Sequence, residues 1–144
     1  MREIKYHIPS GDNELAPVRA TPQSAGLDMK AAEEVTIAPF STAIVKTGVI
    51  FEIPDNHVGL LALRSSMAAK KHFMMANGVG IIDADFRGEV GVILYNAAAH
   101  PQTIEKHQRI AQLTVVPFYH AAPVAAADVS QTERGTGGYG STGK

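Results

Sequence analysis

Residues 77–89 read NGVGIIDADFRGE, and their chemistry centres on Asp83 and Asp85, set two positions apart. The apolar residues Val79, Ile81 and Ile82 precede them, and Phe86, Arg87 and Gly88 follow at once. A strand that carries a carboxylate into a tight turn aims it at a fixed point. An aspartate is ionised at neutral pH and can take a proton from a water held within hydrogen-bond reach. The same residue types also build ordinary hairpin turns. A second stretch, Leu63-Arg64-Ser65-Ser66, offers a guanidinium that forks onto phosphate oxygens and a hydroxyl that donates to them. A helix starting there would add unpaired amides for an anion. A surface arginine beside a serine helix cap would be spelled the same way.

Residues 134–144, RGTGGYGSTGK, add Arg134, Tyr139, Ser141 and Thr142 on a backbone freed by glycines. Such a segment can surround a phosphate and stack a ring on a base. Gly/Ser-rich termini are also ordinary unstructured ends. Residues 138–144 match G-x-x-x-x-G-K, but the sequence has no Ser/Thr and no helix after the lysine, so a nucleotide-triphosphatase loop is excluded. Arg109 and Gln112 lie in RIAQL, an otherwise apolar strand, where an arginine more often pairs with a carboxylate than binds a ligand. Asp28, in AGLDM, can reach a hydrated cation or make a turn hydrogen bond. The six histidines show no metal-ligand spacing.

The elements that must position these groups are strands. Val, Ile, Thr and aromatics fill residues 4–8, 35–37, 43–53, 58–63, 90–95 and 110–118. Eight prolines punctuate the chain, most of them between such runs, and leave little room for long helices. One short helix is expected at residues 65–71, capped by a serine, with lysines in its last turn. Residues 121–127 are alanine-rich, but Pro123 makes them an extended connector. The pattern predicts an all-β, distorted-barrel or jelly-roll-like single domain over residues 1–128. Residues 129–144 are expected to form a flexible C-terminal arm. Met74 and Met75 are expected in the core.

The chain has 144 residues, 45% of them hydrophobic, which suits one domain with a real core. A net charge of −1 gives no basic surface for nucleic acid. No cysteine is present, so disulfides and thiolate metal sites are excluded. No run approaches the ~20 apolar residues of a membrane span, and a soluble, cytoplasmic protein is expected.

Five pieces occur in one order: AGLDMKA near residue 25, LRSSMAAK near 63, NGVGIIDADFRGE at 77, RIAQL at 109 and RGTGGYGSTG at 134. In this order and spacing the chain resembles a trimeric dUTPase, a deoxyuridine triphosphate nucleotidohydrolase. The resemblance implies a homotrimer with active sites at subunit interfaces, each completed by a C-terminal arm. It implies hydrolysis of dUTP to dUMP and pyrophosphate with Mg²⁺ on the triphosphate, limiting uracil in DNA and supplying dUMP. By the same resemblance, Asp83 is the base that activates water. Asn77, Gly80 and Ile82 form the uracil-recognising hairpin, and Phe86 packs on the deoxyribose. Arg64, Ser65, Ser66 and Gln112 face phosphates, and Asp28 supports hydrated Mg²⁺ through water. Arg134, Ser141 and Thr142 close on the phosphates, with Tyr139 as a lid over uracil and Gly140 beside it.

Three positions depart from the family pattern. Phe86 stands where tyrosine is usual, Tyr139 where phenylalanine is commoner, and Ser66 where glycine is usual. Arg-Ser-Ser also resembles dCTP deaminases of the same fold. Those need a glutamate in the next strand, where this chain has Ile93. A non-catalytic β-trimer binding protein would need no such combination of Asp83, Arg64 and tail.

Overall fold

Short β-branched runs interrupted by turns fold into antiparallel ladders. The computed structural model describes residues 3–138. The strands are β1 (Lys5–His7), β2 (Leu27–Lys30), β3 (Val35–Ile37), β4 (Thr42–Lys46), β5 (Ile50–Glu52), β6 (His57–Leu63), β7 (Phe73–Met75), β8 (Gly80–Ile82), β9 (Gly91–Asn96), β10 (Gln102–Ile104) and β11 (Arg109–Pro117). A 3-10 turn, Asn13–Leu15, and one helix, α1 (Ser65–Lys71), complete the described elements. The sheets run β2-β11-β6-β8, β4-β9-β7, β1-β5 and β10-β3. The all-β, jelly-roll-like expectation holds, although the ladders form separate sheets rather than a closed barrel.

Alternation places the core between these sheets. Met29, Leu61, Ile110 and Leu113 come from the four-stranded sheet, and Val45, Phe73, Val92 and Leu94 from the three-stranded one. Each fully buried aliphatic or aromatic side chain contributes about 1.5–3 kcal/mol relative to an exposed one. Asn96 is buried among them without an unmet polar atom. Its amide donates to the carbonyls of Ile37 (3.0 Å) and His100 (2.9 Å), and its Oδ1 accepts from Ala98 N and Gln102 Nε2. That side chain ties β9 to the ends of β3 and β10.

Several expectations are corrected locally. Residues 43–53 do not form one strand; they break into β4 and β5 around Gly48, which has φ +71°. The helix matches residues 65–71, but Arg64, not a serine, takes the cap position, and no side chain caps it. Met75 is buried as expected, whereas Met74 is 57% exposed, because alternation on β7 sends it outward. Residues 121–127 carry no helix, as Pro123 implies, and among the described residues regular structure ends at Pro117.

One ion cluster pins the N-terminal segment. Asp12 accepts from Lys106 Nζ at 2.9 Å and His107 Nε2 at 2.8 Å, and His107 Nδ1 meets Glu14 Oε2 at 3.2 Å. These bonds, Lys106 first and His107 next, lower the Asp12 carboxyl from 3.8 to about 2. A depressed folded-state value favours folding above the unfolded value and loses that effect as pH falls through the folded one. Asp12→Asn should therefore lower the urea midpoint at pH 7. The gap to the parent protein should close between about pH 4 and pH 2. Urea titrations across that range measure it.

Candidate active site

Three neighbouring strands set the site. Asp28 of β2 lies directly opposite Gln112 of β11, and Gln112 opposite Ala62 of β6. Opposed residues share a sheet face, as do residues two apart on a strand. Arg64 follows Ala62 by two in extended backbone (φ −68°, ψ 138°), so it continues the same face. The opposite face carries Met29, Leu61, Ala111 and Leu113 into the core. Ile110 and Ala111 are both buried, and from Ala111 onward β11 alternates between core and site, with Gln112 on the site side.

A depression of about 210 Å³ opens on this polar face. Asp28, Arg64, Ser65 and Gln112 line it together with Ala20, Ser24 and Gly26. Gly26 is needed there: a Cβ would stand 2.9 Å from Gln112 Oε1 and displace that side chain. The rim at residues 20–25 is held by Arg19, whose Nη1 donates to the carbonyls of Ser24 and Ala25. Ser24 also accepts from the Thr21 amide at 3.1 Å. Neither Ser24 nor Arg19 is singled out by sequence reasoning. The Thr-Pro-Gln-Ser turn just before AGLDM is the signal that could have found them.

Asp28 is nearly buried, and its two oxygens meet two arginines. Arg64 Nε lies 3.1 Å from Oδ1, and Arg109 Nη1 lies 3.1 Å from Oδ2. Arg109 thus makes the structural carboxylate pair expected of it. Such a half-buried pairing is costly to break, since removing one partner leaves an uncompensated charge. Helix α1 is only two turns long, so Arg64 and Ser65 serve the depression as individual donors rather than through a strong dipole. Ser66 is exposed on α1 and does not line the depression.

Asp83 and Phe86 sit elsewhere on the chain surface. Strand β8 ends at Ile82, and Asp83 opens a turn in which its carbonyl accepts from the Phe86 amide at 3.2 Å. Arg87 Nη1 closes that turn onto the carbonyls of Ala84 (2.6 Å) and Phe86 (3.0 Å). The Phe86 ring folds over Gly88, where a Cβ would come within 2.4 Å of it. The Asp83 side chain is exposed and has no hydrogen bond or ion pair among the described residues. A fixed backbone with an unengaged carboxylate suits proton abstraction.

Asn77 lies on the corner between β7 and β8, with Gly78 at φ +72°. Strand β7 pairs with β9 and β8 with β6, so this segment is a sheet-to-sheet corner rather than a hydrogen-bonded two-stranded hairpin. Gly80 sits opposite Leu61 with little room, since a Cβ would be 3.0 Å from Leu61 Cβ. Arg134 donates through Nε to the Gly137 carbonyl at 2.8 Å. It does not line the depression. Tyr139, Gly140, Ser141 and Thr142 lie outside the described residues.

The donor set bears on the Mg²⁺ expectation. No group of three His, Cys, Asp or Glu among the described residues could hold a metal ion. Asp28, already paired on both oxygens, still has lone pairs to accept from a metal-bound water, since a carboxylate offers about four acceptor sites. These residues fit outer-sphere support of an ion that arrives on phosphates, which is how Mg²⁺ is commonly held at nucleotide sites. They do not build a resident cage.

A dUTPase family model matches residues 12–143. The chain is 43% identical over 128 residues to a deoxyuridine 5'-triphosphate nucleotidohydrolase of Anaeromyxobacter sp. (strain Fw109-5), covering 89% of this chain and 87% of that one. A protein of the same name from Rhizobium meliloti (strain 1021) is 41% identical over 140 residues, covering 94% and 88%. Among solved structures, a mutant Staphylococcus bacteriophage 80alpha dUTPase with dUpNHpp superposes with a TM-score of 0.91 at 28% identity, covering 100% of both chains. The dUTPase of Streptococcus mutans gives 0.78 at 28% identity, covering 85% of this chain and 100% of that one. The match over nearly the whole length places the chain in the dUTPase family.

Proposed function

We propose that this protein hydrolyses dUTP to dUMP and pyrophosphate by attack of an Asp83-activated water on the α-phosphorus. The observation that carries the reading is the convergence of Asp28, Arg64, Ser65 and Gln112 on one depression of a dUTPase-family chain. A triphosphate bears several negative charges. Arg64 and Ser65 supply charge-assisted hydrogen bonds to its anionic oxygens, and Gln112 supplies an amide. Preorganised donors of this kind stabilise charge that develops on the leaving pyrophosphate. Mg²⁺ bound to the triphosphate would supply further charge neutralisation there. Asp83 accepts the proton of the attacking water, and no covalent nucleophile is required.

Uracil is read by backbone groups around Asn77, Gly80 and Ile82, whose rigid donor–acceptor pattern cytosine does not match. Phe86 packs on the deoxyribose, where its ring would collide with a 2′-hydroxyl. Arg134, Ser141 and Thr142 close on the phosphates, and Tyr139, with Gly140 beside it, covers the base. Product analysis tests the reading. With Mg²⁺, dUTP should give pyrophosphate and dUMP, UTP should react far more slowly, and dCTP should release no ammonia. Ammonia from dCTP would favour the deaminase alternative, against which Ile93 stands in place of a glutamate. Inertness toward every nucleotide would leave a binding trimer.

Asp83 and Phe86 do not line the depression that holds Arg64, so a complete site is best built between copies in a homotrimer. Exposed apolar side chains support assembly: Ile44 is 64% exposed, Met74 57% and Ile81 55%. Apolar surface of this kind marks interfaces when it is contiguous. Light scattering at micromolar protein should give three times the 15.3 kDa chain mass. A fully active monomer would defeat the interface model. The described residues contain no helix long and apolar enough to cross a membrane. We place the enzyme in the cytoplasm.

A further inference from the structure

Arg109 stands outside the depression yet is bound to it through Asp28. The backbone explains how it comes to point there. Along β11, Gln112 pairs with Asp28, Leu113 with Leu27 and Ala111 with Met29. Regular alternation from Gln112 would put Arg109 on the core face, with Ala111 and Leu113. The register shifts between Arg109 and Ala111, and Arg109 comes to lie opposite Lys30 instead. Lys30 shares its face with Asp28, two residues earlier. The bulge therefore turns Arg109 from the core face to the site face, as bulges commonly re-aim a side chain.

We propose that Arg109 is a positioning residue that keeps Arg64 available to the triphosphate. This rests on the phosphate-binding reading of the depression. The Asp28 side chain is only 11% exposed and is shared between the two arginines. Arg109 occupies Oδ2, so Arg64 meets Asp28 through Nε at Oδ1. A guanidinium has five N–H donors, and one engaged at Nε leaves those on the Nη atoms for phosphate oxygens. Without Arg109, both Asp28 oxygens would compete for Arg64 in a bidentate fork, drawing donors away from the ligand. Asp28 would also face the phosphates with one fewer compensating charge.

The test is Arg109→Gln, read by steady-state kinetics with dUTP and by calorimetric titration of inorganic pyrophosphate. KM and the pyrophosphate Kd should each rise about tenfold, while kcat changes far less. Arg109→Lys should restore part of the loss, because an ammonium keeps the charge and reaches one oxygen. In an Asp28→Asn background, Arg109→Gln should add nothing, since the carboxylate it restrains is gone. A purely structural role would reduce the active fraction, and so apparent kcat, without moving KM or Kd. That pattern, or an undiminished effect in the Asp28→Asn background, would overturn the proposal. If the parent protein bound pyrophosphate but left dUTP intact, the catalytic reading would fail, while the titrations would still decide the role of Arg109.

Discussion

Asp83→Asn is expected to bind dUTP and hydrolyse it about 10²–10⁴-fold more slowly, the size of a general-base contribution. The substitution keeps the shape of the side chain but removes its ability to accept the water's proton. The local fold should not change, because the turn is held by the Asp83 carbonyl, the Phe86 amide and the Arg87 guanidinium. None of those bonds uses the Asp83 carboxylate. The loss should therefore fall on kcat, with the affinity for dUTP retained. Single-turnover rates and equilibrium binding on the same preparation separate the two. Near-parental turnover would remove Asp83 from the mechanism.

The local signals of the site were legible because they are written in short segments. Asp83 at the end of an apolar strand, Arg64-Ser65 at a strand-to-helix step, and Gln112 in an alternating strand all lie where their spelling implies. Strand β3 and helix α1 match their predicted spans for the same reason. Long-range registers were not legible. Nothing in AGLDM or RIAQL says that Asp28 and Gln112 stand directly opposite, nor that a bulge two residues on re-aims Arg109. Short strands were missed where propensity was weak. Strand β7 is Phe73-Met74-Met75, with two methionines, and β10 is three residues starting at Gln102. Both exist because they find partners in β9 and β3, a tertiary cause that local sequence does not display. The break of residues 43–53 was in principle visible. Gly48 interrupts the run, and the positive φ there favours glycine over any other residue.

Removal of residues 134–144 should leave the fold and assembly intact but cut kcat/KM sharply. Among the described residues the core ends well before this segment: buried residues reach Leu113, and Val115 packs against them. Residues 118–138 form no helix or strand, so the deletion removes no ladder among the described residues. In the deleted sequence, Gly135, Gly137, Gly138, Gly140 and Gly143 make ordering over a ligand entropically costly. On the proposed reading, contacts made only when substrate is bound offset that cost: Tyr139 stacking on the base, and Arg134, Ser141 and Thr142 on phosphates. Base–aromatic stacking contributes about 1–3 kcal/mol in single-strand nucleic-acid binding. Tyr139→Ala should therefore lower kcat/KM by about five- to 150-fold on that term alone. Tyr139→Phe should be nearly neutral, because the ring face does the stacking and the hydroxyl does not. The full deletion should exceed Tyr139→Ala, since the phosphate contacts vanish as well. Thermal melting and light scattering on the truncated protein check that the body of the molecule is unchanged. A truncated protein that hydrolyses dUTP as efficiently as the intact one, or that unfolds, would show that the segment is not a closing arm.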